Sequence, residues 1–419
     1  MKLLLKNAQI NGKVQNLLIH NQIIDYIGDN TPDNDWEIDL IGKIIIPGVI
    51  DPHTHIRDLN QKDKEDWTSA SKAAIAGGTT MVFDMPNNNP PIVNLKYLNM
   101  KREVAKAAQI HYRFHIAATA HNLDDIAPML DSNEGDIVGL KLFLAGSNSN
   151  EYVNDKEIIK RIFDLGLQYD MPVVVHTEWQ SCIEKHTQSV EAPSVFKHNR
   201  IRHPECAVKG TEIVAQLASE IGNKLYIAHT SLAGELEIIR RYKDKARIYA
   251  EVSPHHLLLN DYILHSVGNF GKVNPPLRSP DDNKALWKAV DDGTIDCLGT
   301  DHAPHLVSEK MKDYPQAPSG FPGLETHLPL MLHEINRGNL DLNRLVEMNS
   351  QRVAEIFNIQ NTGALIEGYF ADLAVADMRK RWKIKPEHFK TKAKYSPFAG
   401  FRGKGDVVMT FVNGRMYVK

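Results

Sequence analysis

Between about residue 44 and residue 300, eight short runs rich in β-branched residues alternate with longer segments of helical periodicity. No other feature constrains the fold as tightly. The runs cover residues 44–50, 79–83, 112–117, 137–142, 172–176, 224–229, 247–252 and 295–300. Segments 65–76, 95–109, 155–169, 204–221, 233–242 and 282–291 carry apolar residues three to four apart, the helical period. The connections after the third and seventh runs are less plainly helical. Eight strands, each followed by a helical segment, are the arithmetic of a (β/α)8 barrel. The predicted fold class is therefore α/β, a TIM-type barrel spanning residues 49–355.

The chain ends have a different character. Residues 1–43 show strand-like pieces at 3–5, 16–19 and 23–27, broken by Asn-Gly and Gly-Asp turns. Strand-like pieces return at 373–375, 407–411 and 416–418, with Asn413-Gly414 as a hairpin signal. Neither end is long enough for a core of its own. The two are predicted to meet in one small β-domain, residues 1–48 with 356–419.

Composition narrows the function. A net charge of −3 over 419 residues gives no expectation of nucleic acid or an anionic membrane as partner. No run approaches the roughly 18 apolar residues of a membrane span, and the N-terminus lacks a signal-peptide pattern. A cytoplasmic protein is expected. Cys182, Cys206 and Cys297 are odd in number and far apart, so neither a disulfide nor a structural zinc knuckle is expected.

In a parallel barrel, chemistry sits at the C-terminal ends of the strands. His53 and His55, in Asp-Pro-His-Thr-His, follow the first run; residues i and i+2 of an extended chain share a face, so both imidazoles can hold one ion. His176 closes the fifth run, His229 closes the sixth, and Asp301 follows the eighth. Lys141 lies inside the apolar fourth run. Burial beside cations disfavours its ammonium form. It is either a neutral amine able to add carbon dioxide as a carbamate, or a lysine reaching the rim as an ion-pair partner. His255 and His256 fit supporting roles, and His186, His198, His203 and His265 fit the surface. The connection 306–321 after Asp301 is long enough to serve as a lid that orders around ligand.

The order His-x-His, strand lysine, two strand-end histidines and late aspartate resembles the binuclear metal-dependent amidohydrolase superfamily. Within it, DPHTHIRD, AGGTTMVFDMPNNNPP, GLKLFLAGS, AEVSPHHL, GKVNPPLR, TDHAPH and SGFPGLET are similar to the dihydroorotases, as are the closing segments GYFADLAVAD and SPFAGFRGKGDVVMTFVNGRMYV. The resemblance covers essentially the whole chain. It implies reversible cyclisation of N-carbamoyl-L-aspartate to L-dihydroorotate in pyrimidine biosynthesis. It also implies two divalent metals, most simply Zn2+, with a bridging hydroxide and Asp301 as general acid and base. His53, His55 and Asp301 would hold one metal, His176 and His229 the other, and a carbamylated Lys141 would bridge them. Arg57, Asn87 and His305 would grip the substrate carboxylate, Asn274 would face the substrate, and the backbone at Pro322 and Gly323 would touch the ring. A homodimer and association with aspartate transcarbamoylase are compatible with the same resemblance. Two positions depart from the family pattern: Asp58-Leu59-Asn60 replaces Glu-Pro-Gly, and Asn88 replaces a threonine. Neither removes a ligand. The alternatives are an allantoinase or dihydropyrimidinase/hydantoinase, which share the metal set, and an inactive scaffold subunit, which would be expected to have lost ligands.

Overall fold

The first predicted strand is in fact two strands in two different sheets, and the division falls at Pro47-Gly48. The computed structural model describes residues 1–146 and 151–419, which leaves the last residue of the GLKLFLAGS motif, Ser147, outside the described residues. Ile44–Pro47 pairs antiparallel with Leu373–Lys383, whereas Val49–Thr54 opens the barrel. Pro47 has no N–H with which to extend its ladder. Gly48 passes so close to Thr80 that a Cβ would collide with that side chain, so glycine lets the chain cross between sheets there.

The barrel strands are β1 (Val49–Thr54), β2 (Thr79–Asp84), β3 (His111–Ala117), β4 (Ile137–Phe143), β5 (Val173–His176), β6 (Leu225–Ile227), β7 (Ile248–Val252) and β8 (Cys297–Leu298). They pair in chain order, each parallel to the next. β8 is shorter than expected because the seam with β1 closes largely through a side chain. Asp51 accepts from the Thr300 amide at 3.0 Å and from its hydroxyl at 2.5 Å, and the His55 amide donates to the His302 carbonyl at 2.8 Å. Most intervening helices lie where the periodicity places them, among them Trp67–Gly77, Lys156–Gln168 and Pro204–Ile221. Pro128 inside Leu123–Asp131 explains why the third connection is not plainly helical in sequence.

Both chain ends build one sheet, as expected. Ile44–Pro47 lies between the N-terminal strand Lys2–Ile10 and the C-terminal strand Leu373–Lys383, so the two ends flank it. Asn413 and Gly414 both have left-handed backbones (φ 49° and 72°) and turn Arg402–Val412 into Arg415–Val418. Among the described residues no helix is long and apolar enough to cross a membrane.

Two expectations need correction. Cys182 and Cys206 form a disulfide, with Cα atoms 5.3 Å apart. The chain between β5 and Pro204–Ile221 folds back on itself, so residues 24 apart in sequence meet in space. His198 is buried and not a surface residue; its ring binds the Asn274 side chain at 2.9 Å and the Val273 carbonyl at 3.0 Å.

Candidate metal centre

Four histidine rings form a chain across the C-terminal mouth of the barrel. Centroids are 5.4 Å apart for His55–His53, 5.1 Å for His53–His229 and 4.8 Å for His229–His176. Asp301 sits against the first two, its Oδ1 3.0 Å from His55 Nε2 and 3.4 Å from His53 Nε2. Donor atoms of His53, His55 and Asp301 all lie within 4.8 Å of one another. Two of these positions have left-handed backbones without being glycine: His229 (φ 36°) and Asp301 (φ 49°). Such conformations cost of order 1–3 kcal/mol and collect where a side chain must be aimed at a site.

Burial sets the protonation states. It pushes His53 down to about 3, and holds His55 and His229 well below the usual imidazole range. The rings are therefore neutral, the form that binds metal. Lys141 on β4 is buried, and burial lowers its amine to about 8 against the pull of Glu251 and Asp301. Its charge is felt by His53, His55, His176 and His229, which places it at the same centre. Lys141 Nζ and His229 Nδ1 are buried and have no hydrogen-bond partner among the described residues. Neutral imidazole nitrogens beside the Asp301 carboxylate, with the buried His229 Nδ1 unmatched, fit divalent cations.

The residues that aim these donors are those sequence reasoning missed. Glu251 on β7 is fully buried and accepts from His53 Nδ1 at 2.8 Å, from the His229 amide at 2.9 Å and from the Tyr226 hydroxyl at 3.0 Å. Its signal was a carboxylate in the middle of an apolar strand, in the AEVSPHHL motif. Glu178, two residues beyond His176, lies 3.0 Å from His176 Nε2 and is held well below the usual carboxylate range, Arg202 and His176 outweighing the opposing effect of burial. Carboxylates behind metal-binding imidazoles orient the ring and raise its basicity. Glu251→Gln is expected to weaken metal binding about 10–100-fold in a metal titration; unchanged affinity would mean that His53 needs no such support.

The predicted substrate residues converge only in part. Arg57, Asn87 and Asn274 line the space bounded by His53, His55, His176, His229 and Asp301. Asn87 also supports the centre, its Oδ1 2.6 Å from His55 Nδ1. An adjoining cavity of about 560 Å³ is lined by Arg57, Lys64, Arg202, Lys272 and His305. Arg57 is buried, with Nε donating to the Pro304 carbonyl at 3.3 Å and a terminal nitrogen 3.4 Å from His305 Nε2. Pro322 and Gly323 lie elsewhere: Ser319 and Gly320 line the space, and the Gly323 amide donates to His302 Nδ1 at 3.1 Å. The connection 306–321 is tied down through buried Lys310, whose Nζ donates to the carbonyls of Pro318 at 2.8 Å and Gly320 at 2.9 Å.

The two positions that depart from the dihydroorotase pattern contact each other. Asn88 Nδ2 donates to Asp58 Oδ1 at 2.7 Å and to the Ile56 carbonyl at 3.0 Å. Asp58 also pairs with buried Lys101 at 2.9 Å, and Lys101 pairs with Asp84, which accepts from the Ile56 amide at 2.6 Å. This buried set fixes the backbone that leads into Arg57. Lys101→Met strands two buried carboxylates and is expected to cost about 3–5 kcal/mol of stability in urea unfolding; a loss under about 1 kcal/mol would mean the carboxylates find other partners.

Known proteins match this chain over nearly its whole length. The model of the amidohydrolase family matches residues 44–417, and the chain belongs to that family. It is 33% identical to a dihydroorotase of Methanosphaera stadtmanae, over 99% of this chain and 96% of that one. It is 31% identical to a dihydroorotase of Endomicrobium trichonymphae, over 99% of each chain. Among solved structures, an L-hydantoinase (dihydropyrimidinase) from Arthrobacter aurescens superposes with a TM-score of 0.94 at 28% identity, covering 100% of this chain and 96% of that one.

Proposed function

We propose that this protein is a dihydroorotase, interconverting N-carbamoyl-L-aspartate and L-dihydroorotate. The observation that carries this reading is Arg57, a buried guanidinium beside His305 at the junction of the histidine–aspartate centre and a cation-lined cavity. A guanidinium there can bind a carboxylate with two hydrogen bonds. Dihydroorotate carries that group; dihydrouracil, hydantoin and allantoin do not.

His53, His55 and Asp301 would hold one divalent ion, His176 and His229 a second, with zinc the best match to the donor types. Bound metal supplies polarisation of the ring carbonyl and a water acidic enough to attack at neutral pH. Lys141, as a neutral amine, adds carbon dioxide with loss of one proton and becomes an anionic carbamate with two oxygens. In the hydrolytic direction Asp301 takes the proton of the attacking water and passes it to the leaving ring nitrogen. In the biosynthetic direction Asp301 removes a proton from the carbamoyl nitrogen. Arg57, Asn87 and His305 bind and orient the carboxylate, and Asn274 faces the ring.

Hydrogen bonds to charged groups are each worth about 1.5–3 kcal/mol. Arg57→Ala should therefore lower kcat/KM for dihydroorotate by roughly ten-fold to a few hundred-fold. Unchanged kcat/KM would remove the carboxylate clamp. The hydantoinase-like overall shape favours a second reading, a cyclic amidohydrolase of neutral ureides, for which Arg57→Ala would be nearly silent.

A further inference from the structure

The excursion after β5 carries a second cluster of donor side chains, outside the centre described above. Cys182 and His186 stand one turn apart on helix Gln180–Gln188, whereas His203, Glu205 and Cys206 lie at the start of Pro204–Ile221. The four-residue spacing puts Cys182 and His186 on one helix face. Donor atoms of Cys182, His186 and Cys206 lie within 4.8 Å of one another, as do those of His186, His203 and Glu205. Glu205 Oε1 is 2.6 Å from His186 Nε2 and 3.6 Å from Cys182 Sγ. His203 stacks on His186 with ring centroids 4.3 Å apart and planes at 10°. Both cysteines are buried, while the imidazoles and the carboxylate border solvent, which gives an ion a way in.

We propose that, with Cys182 and Cys206 reduced, this cluster binds a zinc ion through Cys182, Cys206, His186 and Glu205, His203 holding the His186 ring by stacking. Thiolate, imidazole and carboxylate are all donors that zinc takes, and structural zinc is almost always four-coordinate. The disulfide is then the oxidised, metal-free form. In its formation two thiolates give two electrons to hydrogen peroxide, an S–S bond forms and the O–O bond breaks. Two protons from solvent complete two waters, and zinc leaves.

The ion would staple a segment that reaches the barrel mouth. His198 and Arg202 lie between the two cysteines in sequence, and both line the cavity beside Arg57.

The test is a Co2+ titration of the full-length protein, reduced and freed of metal. None of the donors proposed in the barrel is a thiolate. A thiolate-to-cobalt charge-transfer band therefore reports this cluster alone and does not depend on whether the barrel turns over dihydroorotate. The expected result is a band that develops as cobalt is taken up, corresponds at saturation to one thiolate-bound ion per chain, and is absent from protein oxidised to the disulfide. It is also absent when Cys182 and Cys206 are both replaced by serine, and weakened in either single serine variant and in His186→Gln. Reduced protein showing all three thiols but no such band overturns the proposal. A band that survives in the double variant Cys182→Ser/Cys206→Ser also overturns it, because the remaining thiol is then Cys297.

Discussion

Asp301→Asn is expected to lower kcat for dihydroorotate by about 10²–10⁴-fold, the range for loss of a positioned general base. The substitution keeps the shape of the side chain and removes its capacity to take a proton. Asp301 is buried at the barrel mouth, its backbone is left-handed, and Oδ1 lies 3.0 Å from His55 and 3.4 Å from His53. Burial raises its pKa above the ordinary carboxylate value. The conservative variant should keep much of its metal, so metal content measured beside kcat separates lost chemistry from a lost ion. A variant with full metal and kcat within a few-fold of wild type would deprive Asp301 of its role.

Lys141→Ala is expected to lower kcat on the order of 10²–10³-fold, as for loss of a charged group aimed at the reacting centre, and to deplete bound metal. The reason lies in the surroundings of the amine. It is buried, has no hydrogen-bond partner among the described residues, and feels the carboxylates of Glu251 and Asp301. A permanent ammonium would repel the ions that four neutral imidazoles are placed to receive, whereas a carbamate attracts them. A short-chain carboxylic acid supplied with metal should restore part of the activity of Lys141→Ala by filling the place of the carbamate. A variant with undiminished metal content would exclude Lys141 as a bridge.

Much of this centre was legible because ligand chemistry demands particular residue types at strand ends. His53, His55, His176, His229 and Asp301 each close or follow an apolar run, and the barrel brings those ends to one mouth. What was hidden depends on contacts between distant segments. The crossing at Gly48 splits one apolar run between two sheets, and only the approach of Thr80 reveals it. Glu251 serves His53 and His229 from a separate strand, so no local pattern links the three. His198 sits in a polar stretch that reads as surface, yet the fold turns its ring onto Asn274. The pairing of Cys182 with Cys206 follows from the excursion folding back, not from spacing. Asp58 and Asn88 look like two separate departures in sequence and are one contact in space. Strand Leu373–Lys383 runs well past its apolar start because the basic stretch 378–383 continues along an exposed edge, where alternation gives no signal.

The most direct measurement is the rate at which zinc-supplemented protein consumes dihydroorotate, run beside dihydrouracil, hydantoin and allantoin. Clear preference for dihydroorotate, lost in Arg57→Ala, is the expected result. Faster turnover of any of the neutral ureides would contradict it, leaving the barrel and its metal ligands in place but overturning the carboxylate site at Arg57.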